Sequence, residues 1–222
     1  MSISYRLLRA ILSLFFRLCT RYRIVGQENL PPKGPLIVAM NHIHLLDSVA
    51  AMVALPWQVT IFAARKWERS LVGPLLKAAG AIFITRGQVD RQALRKALAV
   101  LQRGDVFGLA PEGTRSRTYQ LQSARAGVAY LARLTGAPIL PVAVTGVEHV
   151  VPALLRLRRA EVQVTIGEPF TLPVSDRKLK GADLLEMADL VMRHIAALLP
   201  PKYRGVYATE NAMIQRTPAP QN

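Results

Sequence analysis

Cysteine is almost missing from this chain of 222 residues, Cys19 being the single one. No intrachain disulfide can form, which excludes the small disulfide-stapled folds and favours a reducing, cytosolic setting. Acidic residues are scarce as well: 14 Asp and Glu stand against 29 Lys and Arg, a formal net charge of +15. Long apolar runs are absent from the N-terminus. In "SISYRLLRAILSLFFRLCTRYR" the longest stretch without a charge is Ala10–Phe16, far short of the roughly 20 apolar residues of a spanning helix. Yet 51% of the residues are hydrophobic and the mean hydropathy is +0.22. A disordered basic tail would be poor in apolar residues, so the charge belongs to a folded protein that meets an anionic surface, either membrane lipid or nucleic acid.

The N-terminal stretch favours lipid. On a helix at 100° per residue, Arg6, Arg9, Ser13, Arg17, Thr20 and Arg21 share about a third of the circumference. Leu7, Leu8, Ile11, Leu12, Leu14, Phe15 and Leu18 occupy the rest. A narrow arginine stripe beside a broad Leu/Phe face suits a helix lying among lipid headgroups. The alternative is a terminal helix packed on its own domain. A secretory signal is disfavoured, because Arg17 interrupts the apolar core and no small-residue cleavage site follows. The expected organisation is an amphipathic membrane-surface helix over residues 1–24, one domain over 25–206, and a disordered tail over 207–222 that ends in "TPAPQN".

Short apolar runs then alternate with helical patterns. Strands are predicted at Leu36–Met40, Val59–Ala64, Ala81–Thr85, Val106–Ala110, Ile139–Thr145 and Val162–Ile166. Helices are predicted at Leu46–Leu55, from Asp90 as cap to Gly104 as stop, from Ser123 toward Gly136, and from Gly181 to Leu199 before Pro200 and Pro201. Alternation of this kind implies an α/β fold: a mostly parallel or mixed sheet covered by helices.

The segment "NHIHLLDS", Asn41–Ser48, follows a buried-type strand and precedes a helix, so it lies at the carboxyl end of a strand, where open α/β sheets bind ligands. A metal is disfavoured by ligand count. Only His149 and His194 remain elsewhere in the chain, against the three or more protein ligands of a catalytic zinc. Proton transfer needs fewer parts: His42 as base, with Asp47 fixing its tautomer and stabilising the imidazolium. On this spacing alone, which arises often by chance, the better reading is that Asn41 or Asp47 caps the helix with His42 merely packed. Cys19 and Ser48 have no nucleophile context, Ser48 being better placed as a cap.

Three further blocks follow in order: "FITRG" (Phe83–Gly87), "LAPEGTRSR" (Leu109–Arg117) and "APILPVAVTG" (Ala137–Gly146). With "NHIHLLD" they resemble the four sequence blocks of the glycerolipid acyltransferases, the 1-acyl-glycerol-3-phosphate acyltransferases and their relatives. The resemblance implies transfer of an acyl chain from acyl-coenzyme A or acyl carrier protein to the hydroxyl of lysophosphatidate, with His42 and Asp47 as the catalytic pair. It implies no cofactor and no metal beyond these substrates. Arg86 with Gly87, and Arg115 with Gly113 and Thr114, are the expected acceptor-binding residues, since a guanidinium fork suits a phosphate ester and glycine permits close backbone approach. Glu112 is expected to hold an arginine or to bond a glycerol hydroxyl, because a carboxylate beside a phosphate repels it. His44 stands where the family commonly has a small polar residue, and is expected to turn away. Arg125-Ala126-Gly127 stands where a Lys-Gly is frequent. The expected partners are an anionic membrane surface, lysophosphatidate and the acyl donor, not nucleic acid, and the expected location is the cytoplasmic face of the membrane. Two alternatives remain: the same chemistry on another lysophospholipid or a lyso-amino-acid lipid, or a non-catalytic basic binding protein.

Overall fold

The computed structural model describes residues 1–85, 90–173 and 180–208. Its strands are β1 (Thr20–Val25), β2 (Leu36–Met40), β3 (Val59–Ala64), β4 (Ile82–Ile84), β5 (Val106–Leu109), β6 (Ile139–Thr145) and β7 (Ala160–Ile166). The helices are α1 (Ile3–Cys19), α2 (Leu46–Ala54), α3 (Gly73–Ala78), α4 (Arg91–Gln102), α5 (Gly127–Thr135), α6 (Val150–Leu155) and α7 (Gly181–Leu198). Asp90 caps α4 by accepting from the N–H of Ala93 at 2.9 Å.

The strands form one mixed sheet in the order β1-β7-β6-β2-β5-β3-β4. All neighbours are parallel except β6 and β7. Every residue of β2 is buried, as a central strand covered on both faces should be. Helices α1, α2 and α3 pack together, as do α4, α5 and α7. Because β7 runs against β6, with Thr145 opposite Gln163, and β1 runs with β7, with Thr20 opposite Ala160, the ends of β2 and β6 and the starts of β7 and β1 share one edge of the sheet. The His42 turn lies on that edge.

The N-terminal boundary needs correcting. The helix ends at Cys19, and residues 20–25, expected to be its continuation up to residue 24, are the edge strand β1. The helix ends where the backbone of Thr20 becomes extended (φ −138, ψ 168), its N–H and its hydroxyl both donating to the carbonyl of Phe16, the hydroxyl at 2.6 Å. From there burial alternates, Thr20, Tyr22 and Ile24 facing in while Arg21, Arg23 and Val25 are exposed. That period of two is what a half-buried strand requires. The C-terminal boundary moves as well. Tyr207, assigned to the tail, is buried; its hydroxyl accepts from the N–H of Ala124 and donates to Asp189. Residues 209–222 lie outside the described residues.

Helix α1 is docked on the domain and still exposes an apolar stripe. Tyr5 and Phe16 are fully buried, and Arg9 points inward, its guanidinium donating to the carbonyl of Val53 at 3.1 Å. Ile3, Leu7, Ile11, Leu14 and Leu18 face out, each more than half exposed. Among the described residues no helix is long and apolar enough to cross a membrane.

Candidate active site

Asn41, the residue after β2, is wholly buried and ties the turn to β6. Its side-chain amide donates to the carbonyl of Val144 at 2.8 Å and accepts from the N–H of Val144 at 2.7 Å, so the side chain extends the β2–β6 ladder by one rung. From this anchor the chain turns sharply into α2. Asp47, in the first turn of that helix, is fully buried and folds back over the turn. Its Oδ2 accepts from the N–H of Ile43 at 2.7 Å and of His44 at 2.6 Å. The same oxygen lies 3.3 Å from Nδ1 of His42. The structure therefore brings together the histidine and the aspartate that the sequence pairs.

Two further bonds fix His42 through its backbone. Its N–H donates to Oε1 of Glu112 at 2.9 Å, and its carbonyl accepts from the N–H of Ser116 at 2.8 Å. The "PEGTRS" loop is thus stapled to the histidine turn. Glu112 departs from expectation here. It is buried, its second oxygen accepts from the N–H of Gln122 at 3.0 Å, and it holds neither an arginine nor an open face toward a ligand. A buried carboxylate that accepts backbone N–H groups on both oxygens is a clasp.

Burial raises both carboxyl groups. For Asp47 the cause is burial, opposed by the bonds from His42, His44 and Ile43. Glu112 is pushed up to about 7, first by burial and further by the charge of Asp47, against the bonds from His42 and Gln122. A carboxyl raised on folding from 4.5 to about 7 binds its proton more tightly folded than unfolded. Its stabilising contribution is full below about pH 4.5 and is lost as pH rises to about 7. Glu112→Gln abolishes that titration. In urea unfolding at a series of pH values, the deficit of the variant relative to the unmutated protein should shrink by up to about 3 kcal/mol across that window. A deficit independent of pH would mean that Glu112 titrates as an ordinary exposed carboxyl.

A cavity of about 960 Å³ opens beside His42, at the upper end of the ~300–1,000 Å³ common for small-molecule sites. Its inner walls are apolar, with Ile61, Phe62 and Leu109 from the sheet and Leu94, Leu98 and Leu184 from the helices. His42, Gly113, Arg91, Arg95 and Arg125 add polar groups to its lining. Gly113 has φ +69, and a Cβ there would meet Cδ of Arg125 at 2.7 Å and Nε at 2.9 Å. The missing side chain is what lets Arg125 lie across the loop. Arg125 was legible in the sequence only as a basic residue after the third block; its contact with Gly113 makes it part of the site. Ser48, expected as a cap, lies inside the first turn of α2 and lines the cavity.

The other expected acceptor residues are placed unevenly. Thr114 and Arg115 are half-buried in the turn before Ser116 and do not line the cavity. Arg86 and Gly87 lie outside the described residues. His44 folds onto its own turn, its Nδ1 accepting from the N–H of Leu46 at 3.3 Å. Among the described residues no three His, Cys, Asp or Glu side chains converge as metal ligands do.

A sequence profile described as Acyltransferase matches residues 21–145, more than half of the chain. Over 144 residues the chain is 30% identical to the 1-acyl-sn-glycerol-3-phosphate acyltransferase of Borreliella burgdorferi, a match covering 63% of this chain and 58% of that one. It is 27% identical over 201 residues to the lyso-ornithine lipid O-acyltransferase of Pseudomonas aeruginosa, covering 80% of this chain and 74% of the other. The crystal structure of the 1-acyl-sn-glycerophosphate acyltransferase of Thermotoga maritima shares the fold, with a TM-score of 0.65 over 87% of this chain and 79% of that chain at 22% identity.

Proposed function

The chain belongs to the acyltransferase family, and on that premise we propose that it moves a fatty acyl group from a thioester donor to the free hydroxyl of 1-acyl-glycerol-3-phosphate, giving phosphatidate. The observation that carries this reading is His42, backed by the buried carboxylate of Asp47, at an apolar cavity large enough for an acyl chain. Asp47 accepts from Nδ1–H, so the lone pair of the imidazole is on Nε2, which takes the proton of the acceptor hydroxyl. The alkoxide oxygen attacks the thioester carbonyl, the C–S bond breaks, and Nε2 returns its proton to the departing thiolate. No acyl-enzyme forms. The apolar walls hold the acyl chain at about 0.8 kcal/mol per buried methylene. The donor is acyl-coenzyme A or acyl carrier protein, and no metal or redox cofactor takes part.

Arg125 is the phosphate ligand supported by its position, with Arg115 and Arg86 as further candidates from the "EGTR" and "TRG" blocks. The outward stripe of α1 suits a peripheral protein at the cytoplasmic face of a membrane, since a helix serving only its own domain would turn Leu7, Ile11 and Leu14 inward. A second acceptor stays in view because the match to the lyso-ornithine lipid enzyme covers 80% of this chain, more than the 63% matched by the Borreliella enzyme.

The test is thioester release with three acceptors: lysophosphatidate, lyso-ornithine lipid and an uncharged monoacylglycerol. Preference for lysophosphatidate is expected. Arg125→Ala should weaken its apparent affinity by about 10- to 150-fold, the equivalent of one charge-assisted bond, with partial rescue by Lys. Equal loss toward the uncharged acceptor would remove phosphate recognition from Arg125. Faster turnover of lyso-ornithine lipid would select the second reading.

A further inference from the structure

The segment "VVPALLRLRRA", which leads from α6 into β7, plays no part in the chemistry above, yet it carries two of the most exposed large apolar side chains among the described residues. Leu155 is 83% exposed and Leu157 98%. Arg156, Arg158 and Arg159, interleaved with them, are exposed too. An isolated surface leucine is ordinary; the backbone of Leu157 is not. Helix α6 closes with the N–H of Leu157 on the carbonyl of Leu154 at 3.0 Å and that of Arg158 on the carbonyl of Ala153 at 2.8 Å. This closure puts Leu157 at φ 55, the left-handed position after a helix that glycine normally fills. A β-carbon is penalised there, and no packing offsets the penalty, because the side chain projects into solvent.

The sheet register gives the loop its setting. Ala160, the first residue after the arginines, pairs with Thr20 at the end of α1. Leu157 therefore lies on the same sheet edge as Leu18, the last residue of the outward stripe of α1, and on the edge that carries the His42 turn. Apolar side chains among closely spaced arginines complement an anionic lipid surface, with methyl groups among the acyl chains and guanidinium groups at the phosphates.

We propose that the end of α6 and the loop to β7 form a second lipid-contacting element, inserting Leu155 and Leu157 into an anionic bilayer while Arg156, Arg158 and Arg159 engage its phosphates. With α1 it forms a two-point attachment that sets the angle at which the His42 edge meets the membrane.

The experiment is co-sedimentation of the full chain with vesicles of phosphatidylglycerol and phosphatidylcholine, alongside thermal unfolding without lipid. Leu157→Gly should weaken partitioning by roughly 5- to 10-fold, since it deletes an apolar insertion. It should leave the unfolding temperature equal or higher, since glycine relieves the left-handed backbone. Replacing the three arginines with Gln should weaken the preference for phosphatidylglycerol over pure phosphatidylcholine vesicles, leaving the share contributed by the exposed arginines of α1. Partitioning of Leu157→Gly and Leu155→Ser equal to that of the unmutated protein would overturn the proposal. A lower unfolding temperature for Leu157→Gly would overturn it as well, by giving the leucine a packing role. So would unchanged vesicle binding with loss of an oligomer in sedimentation, which would make the patch a contact between copies of the chain.

Discussion

His42→Ala is expected to cut turnover by roughly 10²–10⁴-fold, the usual contribution of a general base, while leaving the fold intact. Its side chain is 14% exposed and, among the described residues, makes one polar contact, the 3.3 Å approach to Asp47, whereas the backbone bonds that hold the turn do not involve the ring. Asp47→Asn is the sharper experiment. Oδ2 of Asp47 receives two backbone N–H groups and the imidazole, while Oδ1 has no partner among the described residues. The amide introduced by this substitution must therefore put its oxygen at the Oδ2 position and its nitrogen at Oδ1, because the reverse would aim N–H at N–H. In that orientation the turn survives and His42 keeps the same tautomer; what is lost is the negative charge behind a forming imidazolium. A loss on the order of 10²-fold is expected, smaller than the ~10⁴ seen where an amide imposes the wrong tautomer. Steady-state kcat for both variants, with unfolding temperatures beside it, decides the matter. Equal losses for the two would show that Asp47 acts by more than its charge, and a His42 variant that kept over about a tenth of the rate would remove the histidine from the chemistry.

Glu112→Ala should be the most destabilising single change near the site. It strands two backbone N–H groups, those of His42 and Gln122, in a region where the lost side chain was 2% exposed. Each stranded donor costs about 1–3 kcal/mol, so a total of roughly 2–6 kcal/mol is expected. In a domain of this size that corresponds to a fall of about 5–20 °C in Tm. Activity should fall with it even at temperatures where the variant is folded, since the N–H of His42 loses its fixed partner. Calorimetry and kcat on the same preparation test both halves. A Glu112→Ala protein that melted within a degree or two of the unmutated chain would return the residue to a ligand-facing role.

Much of this arrangement could be read from the residues alone. The bounds of β2, β3 and β6 follow from uninterrupted apolar runs, which declare a covered strand wherever they occur, and the cap and stop of α4 are local chemistry at Asp90 and Gly104. His42 and Asp47 were legible because both lie on one turn. Glu112 was misread for the opposite reason: its partners, His42 and Gln122, are set by the meeting of two loops, and nothing local in "PEGTRS" reveals that its carboxylate faces inward. Strand β1 was misread because "TRYR" continues the arginine spacing of the helix before it. Only the partner β7, far along the chain, exposes the alternation of Thr20, Tyr22 and Ile24. The direction of α1 was half legible, since the wheel separates apolar from polar residues without saying which face a domain will cover.

The pairing of β1 with β7 also has a meaning in time. Arg21 lies opposite Glu161, so 140 residues of synthesis separate the two strands, or about 7–28 s at ~5–20 residues per second. Throughout that interval the chain leaving the ribosome presents an unpaired strand edge joined to a helix whose leucines face outward. Under the proposed membrane attachment, an early landing on lipid would hold both apart from other nascent chains until β7 arrives, so the bilayer would act as a chaperone for the sheet.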